Sequence, residues 1–354
     1  MGPSIALLAL LLSPAPASGR LALDGLDPVA LCGGVERAGS PELVAIRGRY
    51  TYRFADAGSR ARFLDEPERF AIQWGGGCAR MGPLSGAGDP ARYALHDGRL
   101  FIFASDACRA GFLKAPERFV VERAELAPFD EARRAAGAAW IEKAAAAHGG
   151  AQRIAAARGL LLMHEGEQQG WTWRLEQSLG PAGGMTRRSR WTPPEGEGEP
   201  SETTWRLAES ATGSDGGERF AVTSPDQLED LRRLAQREPL VLLWARGRPD
   251  FVAGHLGPGR LGEREVEEVE VRLDGLSTTL LLDPASARIL GLRWRGRPGE
   301  GVTREVVETF VEGREVEGLS LPLAREVLAD GEPRPSFAPR WTSAEVVTEP
   351  PAGD

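Results

Sequence analysis

One strand-and-helix pattern occurs twice in this chain, at an offset of 49 residues. Residues 52–70 and 101–119 are identical at ten of nineteen aligned positions. In each copy, alternating apolar residues predict a short strand, and a Phe-Leu pair lies on a predicted helix that Pro-Glu-Arg-Phe ends. Because repeated units bury apolar surface against each other, the pattern predicts a small pseudo-symmetric α+β domain. Two packing units without a binding site explain the repeat equally well.

Residues 1–19 have the pattern of a secretory signal peptide. The apolar run Ile5–Leu12 is followed by Ala15-Pro16-Ala17, an A-x-A cleavage pattern. This run is too short to cross a bilayer, and no other stretch approaches the roughly 18 apolar residues that a transmembrane helix needs. We therefore expect an exported protein, periplasmic or extracellular, without a transmembrane segment. The net charge of -8, with acids and arginines interspersed, argues against a nucleic-acid partner.

The remaining chain divides into three predicted parts: a first domain at 20–125, a linking helix at 126–150 and a β-rich domain at 151–350. An alanine-rich helix is predicted over Pro128–His148 and ends before Gly149. After Gly159, short apolar segments alternate with Gly, Pro and Asp turns. This spacing predicts an antiparallel sheet of eight or more strands. The apolar run Leu240–Trp244 fits either a helix or a strand.

The first domain carries short motifs that occur together in one known family. They are Leu26-Asp27-Pro28-Val29-Ala30, Gly39-Ser40-Pro41-Glu42, Gly76-Gly77-Cys78-Ala79, Gly88-Asp89-Pro90 and the Pro-Glu-Arg-Phe at 67–70. On these residues, the stretch from Leu26 to about Arg123 resembles a YHS domain in its longer exported form. The resemblance implies metal handling through a Phe-Cys-Ser-x-x-Cys segment. Here Phe103–Cys108 keeps only the second cysteine, and residues 54–59 keep neither.

The β-rich part has an ordered set of motifs of its own. They are the helix end at His148-Gly149-Gly150, then Leu282-Asp283-Pro284, Arg288-Ile289-Leu290 and the Val-x-Gly-Leu-x-Leu-Pro step at 316–322. On these residues, about 135–348 resembles an outer-membrane-lipoprotein-sorting (LolA-like) domain. The resemblance implies a curved antiparallel β half-barrel closed by helices. Its concave face would bind acyl chains or other apolar ligands.

The three cysteines, Cys32, Cys78 and Cys108, all lie in the first domain. They could form a three-thiolate copper or zinc site, with His96 or Met81 as a further ligand, because these metals accept sulfur ligands. Export favours a disulfide instead, with one thiol left over. If a bridge forms, we expect Cys32–Cys78, because Cys108 lies on the second repeat helix. The third alternative is three thiols with neither bond nor metal.

Tryptophan is concentrated in the β-rich domain. Trp171 and Trp173 are two residues apart on one predicted strand, so both side chains point to one face of the sheet. Such a face could line an apolar cavity. Ordinary core and rim packing is the alternative. The candidate ligand-binding residues are Trp171, Trp173, Trp191, Trp205 and Trp294.

Known catalytic motifs are missing from the sequence. It contains no G-x-S-x-G, Walker A, Rossmann or H-E-x-x-H pattern. We therefore predict an exported, non-catalytic binding protein that holds an apolar small molecule, a lipid or a lipoprotein acyl chain in the β half-barrel. Metal handling by the YHS-like domain is the alternative, with copper or zinc as the only expected cofactor. An enzyme of unrecognised type is a third alternative.

Overall fold

The computed structural model describes residues 19–120, 125–168, 170–335 and 338–348. Residues 1–18, and with them nearly all of the predicted signal peptide, lie outside the described residues. The strands form two large open antiparallel sheets and two small sheets, with helices packed against them. This mixture confirms the α+β class. No helix in the described ranges is long and apolar enough to cross a membrane.

Two hairpins organise the N-terminal part, and the second strand of each contributes to one copy of the repeat. The elements in chain order are β1 (Arg20–Leu21), α1 (Pro28–Cys32), β2 (Ser40–Arg47), β3 (Tyr50–Phe54), α2 (Ala57–Asp65), α3 (Pro67–Phe70), β4 (Asp89–His96), β5 (Arg99–Phe103) and α4 (Asp106–Leu113). β2 and β3 pair antiparallel, and β1 pairs parallel with the other edge of β3. β4 and β5 form the second hairpin.

Each copy of the repeat packs around the phenylalanine of its Phe-Leu pair. The ring centroids of Phe63 and Phe54 are 5.1 Å apart, and those of Phe112 and Phe103 are 5.3 Å apart. Phe119, which ends the second copy, is buried 5.1 Å from Phe112. The phenylalanines of the two copies lie in two separate apolar clusters, and Ile102 of the second copy packs in the first cluster. The repeat is therefore a packing device, with the final phenylalanine as an anchor.

The C-terminal part begins with α5 (Glu131–Ala147) and α6 (Ala151–Ala156). Its first sheet contains β6 (Gly159–Gln168), β7 (Trp171–Leu179), β8 (Met185–Thr192), β9 (Ser201–Leu207), β10 (Thr212–Asp215) and β11 (Glu218–Ala221). Next come α7 (Pro225–Gln236) and α8 (Pro239–Ala245). The second sheet contains β12 (Val252–Leu261), β13 (Arg264–Leu273), β14 (Leu276–Leu282), β15 (Ile289–Gly296), β16 (Arg304–Val316), β17 (Leu319–Ala329) and β18 (Glu332–Pro333). The last strand, β19 (Ser343–Val347), returns to pair with β6.

The strands form two sheets of seven, so the prediction of one sheet with eight or more strands is wrong. α7 and α8 separate the two sheets along the chain. The apolar run Leu240–Trp244 belongs to α8, which starts at Pro239 and is buried on nearly all sides. Apolar side chains from both sheets and from the helices form one large core. The half-barrel curvature implied by the LolA-like resemblance stays a prediction.

The helix predicted as a linker at 126–150 packs into that core. Ile141 and Ala144 of α5 are buried in it. At Gly137, an added Cβ would lie 2.7 Å from the backbone of Ala253 in β12, so the missing side chain lets helix and strand approach closely. Helix α5 is therefore part of the C-terminal core.

The N-terminal and C-terminal parts contact each other at the first large sheet and at α7. Arg49 lies 3.9 Å from the ring centroid of Phe220 and 3.3 Å from the carboxylate of Asp215. Gln227 of α7 donates a hydrogen bond to the carbonyl oxygen of Pro83 at 3.0 Å. Through these contacts, the N-terminal part packs against α7 and against β10 and β11, at the edge of the first large sheet.

Candidate functional site

One face of the first large sheet starts in the core and ends in solvent. On β6 and β7 this face is buried at Leu160 and Leu179, which lie opposite each other in the core. At the other end of β7, on the same face, Trp173 is half-buried and Trp171 is 38% exposed. Trp191 of β8 pairs with Trp173 and is 42% exposed. These tryptophans therefore lie on the core-facing side of the sheet but beyond the edge of the core, where they are exposed to solvent.

We call His164, Trp171, Trp173 and Trp191 the aromatic face. The ring centroids of His164 and Trp173 are 4.3 Å apart, and those of Trp173 and Trp191 are 6.2 Å apart. Trp173 lies across Gly166 on the neighbouring strand, where an added Cβ would be 2.5 Å from the indole. The glycine thus gives the central indole its place against the sheet.

The opposite face of these strands is charged, and several of its charges form ion pairs. Arg174 of β7 donates to Glu176 at 2.7 Å. Arg188 of β8 lies 3.3 Å from the carboxylate of Glu202 on β9. Such exposed pairs contribute about 0–1 kcal/mol each to stability, but they keep this face hydrated. The end of the sheet that carries the aromatic face is therefore amphipathic, with indoles on the core-facing side and charges on the other side.

Behind the aromatic face, the core contains a cluster of buried charges. Glu308 accepts hydrogen bonds from Arg237 at 2.6 Å, from the indole N–H of Trp294 at 2.8 Å and from Arg325 at 2.9 Å. Arg325 also donates to Glu238 at 2.8 Å. Burial opposes the ionisation of Glu308, but Arg237 and Arg325 outweigh it and hold the pKa of Glu308 below its usual range.

Arg187 of β8 lies between the aromatic face and this charged cluster. Its Nη1 donates to Oε1 of Gln177, its cross-strand neighbour on β7, at 2.7 Å. Burial and, to a smaller extent, the positive charge of Arg237 lower the pKa of Arg187 to about 10, against the opposing effect of Glu238. Burial, followed by the charge of Arg187, lowers the pKa of His164. A positive charge therefore lies at the inner end of the aromatic face.

The five tryptophans predicted to bind a ligand have different surroundings in the structure. Trp171, Trp173 and Trp191 belong to the aromatic face. Trp205 is 4% exposed and packs against Phe220 with ring centroids 5.7 Å apart. Trp294 is 4% exposed and hydrogen-bonded within the charged cluster. These last two lie outside the aromatic face, where the core covers the sheet, and ligand binding by them stays a prediction.

Sequence reasoning missed His164, Gln177 and Arg187. The period of two along a strand could have found Arg187, because it is four residues before Trp191 and shares its face. The same alternation on β6 runs through Leu160, Leu162 and His164. Which residues of β6, β7 and β8 lie next to one another across the strands depends on strand register, and local sequence patterns do not reveal it.

The structure brings Cys78 and Cys108 together and leaves Cys32 apart. All three are free thiols. Cys32 packs beside the first repeat cluster, whereas the thiols of Cys78 and Cys108 are in hydrogen-bond contact within the second. Burial raises the pKa of Cys78, and it raises the pKa of Cys32 to about 11. The predicted Cys32–Cys78 pairing is absent, because helix α4 places Cys108 against the loop that carries Cys78.

The residues predicted to bind a metal do not assemble into one site. His96 lies 3.3 Å from the carboxylate of Asp97 and packs edge-on against Phe112. Met81 is exposed and lines an open groove of about 340 Å³ together with Cys108. Within the described part of the chain, no group of three or more His, Cys, Asp or Glu residues is placed to hold a metal ion. Copper or zinc binding would therefore depend on the Cys78–Cys108 pair.

A groove of about 620 Å³ lies between α5 and the start of β12. Its rim carries charges of both signs, and Arg246 already lies 3.6 Å from the carboxylate of Glu142. Alanines and Phe251 supply its apolar surface. Because Arg246 is paired and the groove lining contains no tryptophan, this groove is a weaker candidate than the aromatic face.

No family model matches the chain, and no curated protein matches it. Among solved structures, the chain is similar to a DUF1329 family protein from Desulfovibrio piger, with 10% sequence identity. The match covers 60% of this chain and 93% of that one, with a TM-score of 0.31. A likeness this distant carries no argument about function. The YHS-like and LolA-like resemblances therefore stay predictions.

Proposed function

We propose that the protein is an exported, non-catalytic binding protein whose aromatic face holds the apolar chain of a lipid or another amphiphile. The observation that carries this proposal is the exposure of Trp171 and Trp191 on the side of the sheet that elsewhere faces the core. Contiguous exposed apolar surface of this kind is typical of ligand and partner sites. Export rests on the signal-peptide pattern at 1–19.

The energy of binding would come from burial of the ligand chain against the indoles. Each buried CH₂ group contributes roughly 0.8 kcal/mol, so affinity rises with chain length until the aromatic face is covered. The face consists of three indoles and one imidazole, without an acid or a nucleophile. This composition favours binding over catalysis.

Quenching of tryptophan fluorescence tests the proposal directly. A fatty acid brominated in the middle of its chain quenches indoles that it touches, so titration should give saturable quenching of the purified protein. Trp191→Ala should weaken binding about tenfold, which is ~1.4 kcal/mol. Trp140→Ala is the matched control, because Trp140 is a half-buried tryptophan on α5, outside the aromatic face.

Equal loss of affinity in both variants would place the ligand elsewhere. Absence of saturable quenching, together with native mass spectra that show no co-purified lipid, would sink the proposal. Either result can be obtained with the full exported chain.

The alternative function, copper or zinc handling by the N-terminal part, is favoured by one observation: the thiols of Cys78 and Cys108 lie in contact, and Met81 lines the same groove as Cys108. Thiolate and thioether ligands suit Cu(I). Elemental analysis of the reduced protein tests it, and metal that stays bound in Cys108→Ser would contradict it.

A further inference from the structure

We propose that the ligand of the aromatic face is an amphiphile with an anionic head group, and that Arg187 binds this head group. The inference rests on the proposed function and specifies its ligand class. The head group would be a carboxylate or a phosphate monoester, because a guanidinium binds both through paired N–H donors.

The position of Arg187 is suited to this role. It lies on β8 four residues before Trp191, on the core-facing side of the sheet. Its cross-strand neighbours are Gln177 on one side and the buried Trp205 on the other. A chain lying on the exposed indoles would therefore reach Arg187 where the aromatic face meets the core.

The guanidinium of Arg187, which is half-buried, has few hydrogen-bond partners. It offers five N–H donors, and the structure gives it one hydrogen bond, to the neutral amide oxygen of Gln177. Among the described residues, no carboxylate lies within ion-pair distance of Arg187. Most of its donors are free to meet a ligand.

The nearby carboxylates, Glu238 and Glu308, already form ion pairs with other arginines. Glu238 accepts from Arg325 at 2.8 Å and from the indole of Trp341 at 3.3 Å. Glu308 pairs with Arg237 and Arg325. Two arginines thus face two glutamates in the cluster, and Arg187 adds a positive charge without a counter-ion.

Arg187 is half-buried, and a cation held there without an ion-pair partner is costly. Desolvation is the main cause that lowers its pKa to about 10. An anionic head group would supply the missing ion-pair partner. His164 beside Trp173 cannot serve as counter-ion, and its lowered pKa shows that further positive charge is disfavoured there. The electrostatics at this end of the aromatic face therefore select a negative head group over a neutral or positive one.

Ligands of equal chain length isolate the contribution of the head group. Isothermal titration of the full-length mature protein would compare dodecanoate, dodecyl phosphate, dodecanol and dodecyltrimethylammonium at neutral pH. We expect one or both anions to bind at least tenfold more tightly than dodecanol, a difference of ~1.4 kcal/mol, and the cation to bind most weakly. The ratio between dodecanoate and dodecyl phosphate identifies the preferred anion.

Two variants test the role of Arg187 itself. Arg187→Met should reduce the affinity for anions to that for dodecanol. Gln177→Glu keeps the arginine but gives it an internal counter-ion, so it should also abolish the anion preference, and it remains informative if Arg187→Met does not fold. Arg187→Lys should retain part of the preference.

The outcomes separate this inference from the proposed function. If dodecanol and the anions bind the unmodified protein equally well, the head-group inference is wrong and the aromatic face still binds apolar chains. If the preference for anions persists in both Arg187→Met and Gln177→Glu, a group other than Arg187 binds the head group and the inference is wrong. If none of the four ligands binds, the proposed function itself fails.

Discussion

At the scale of single residues, the contact between Cys78 and Cys108 depends on where the second repeat helix places its cysteine. The copies of the repeat are similar in sequence, yet only the second has a cysteine on its helix, where Ser59 stands in the first copy. That cysteine meets Cys78 inside the second cluster, with the two thiols in hydrogen-bond contact. The groove beside Met81 gives Cys108 access to solvent.

We expect oxidised glutathione to convert this pair into a Cys78–Cys108 disulfide. Two successive thiol–disulfide exchanges form the bond and release two molecules of reduced glutathione. Cys32 should stay outside the bridge, because it packs beside the first repeat cluster, apart from the other two thiols. Burial also raises its pKa to about 11, so little thiolate is present at neutral pH. Peptide mapping without reductant measures the outcome. Cys32→Ser should keep the bridge and Cys108→Ser should lose it, whereas a bridge to Cys32 would contradict the expectation.

At the scale of elements, the contact between α5 and β12 depends on a glycine. A Cβ at Gly137 would overlap the backbone of Ala253 and Gly254, which cannot yield as a flexible side chain does. In a helix, Gly→Ala ordinarily adds up to ~1 kcal/mol of stability. Here we expect Gly137→Ala to lower stability by about 1–3 kcal/mol, because overpacking forces helix and strand apart.

Urea denaturation measures this effect, and Gly111→Ala is the matched control. Gly111 also lies within a helix, but its nearest neighbour is the flexible side chain of Arg80. The control should be neutral or slightly stabilising. If both variants behave alike, the close approach of α5 to β12 does not contribute to stability.

At the scale of the whole molecule, Glu308 links α7, the start of α8 and the second large sheet. It binds Arg237 and Arg325, and Arg325 continues the network to Glu238. Removing one charge from a buried network leaves the others uncompensated. Glu308→Gln should therefore lower the free energy of unfolding by about 3–5 kcal/mol at neutral pH.

Glu312→Gln, on the same strand, is the control, because Glu312 forms an exposed ion pair that contributes at most about 1 kcal/mol. The pH dependence gives a second readout. Since Arg237 and Arg325 hold the pKa of Glu308 below its unfolded value, the stabilisation is present above that unfolded value and is lost as pH falls through the folded pKa. The difference in the free energy of unfolding between Glu308→Gln and the unmodified protein should therefore become smaller as the pH is lowered. A constant difference would mean that the carboxylate charge is unimportant.

Much of the fold follows from local patterns, and the candidate site does so only in part. The repeat predicted both aromatic clusters, because the Phe-Leu pair and the final phenylalanine act within one strand-helix unit. Strand alternation placed Trp171 and Trp173 on one face. The same patterns did not separate Trp191, which is exposed, from Trp205, which is buried, although both lie on strands of one sheet.

The sequence by itself therefore determined the α+β class, the repeated packing units and the faces on which side chains lie, because these depend on neighbours along the chain. Only the tertiary structure decided where the core ends, which thiols meet and which charges are paired. Arg237 and Glu308 are 71 positions apart, and their contact exists only after both sheets and α7 have packed. The exposed indoles and the unpaired charge of Arg187 are consequences of that packing, because burial is set by distant parts of the chain and not by local periodicity.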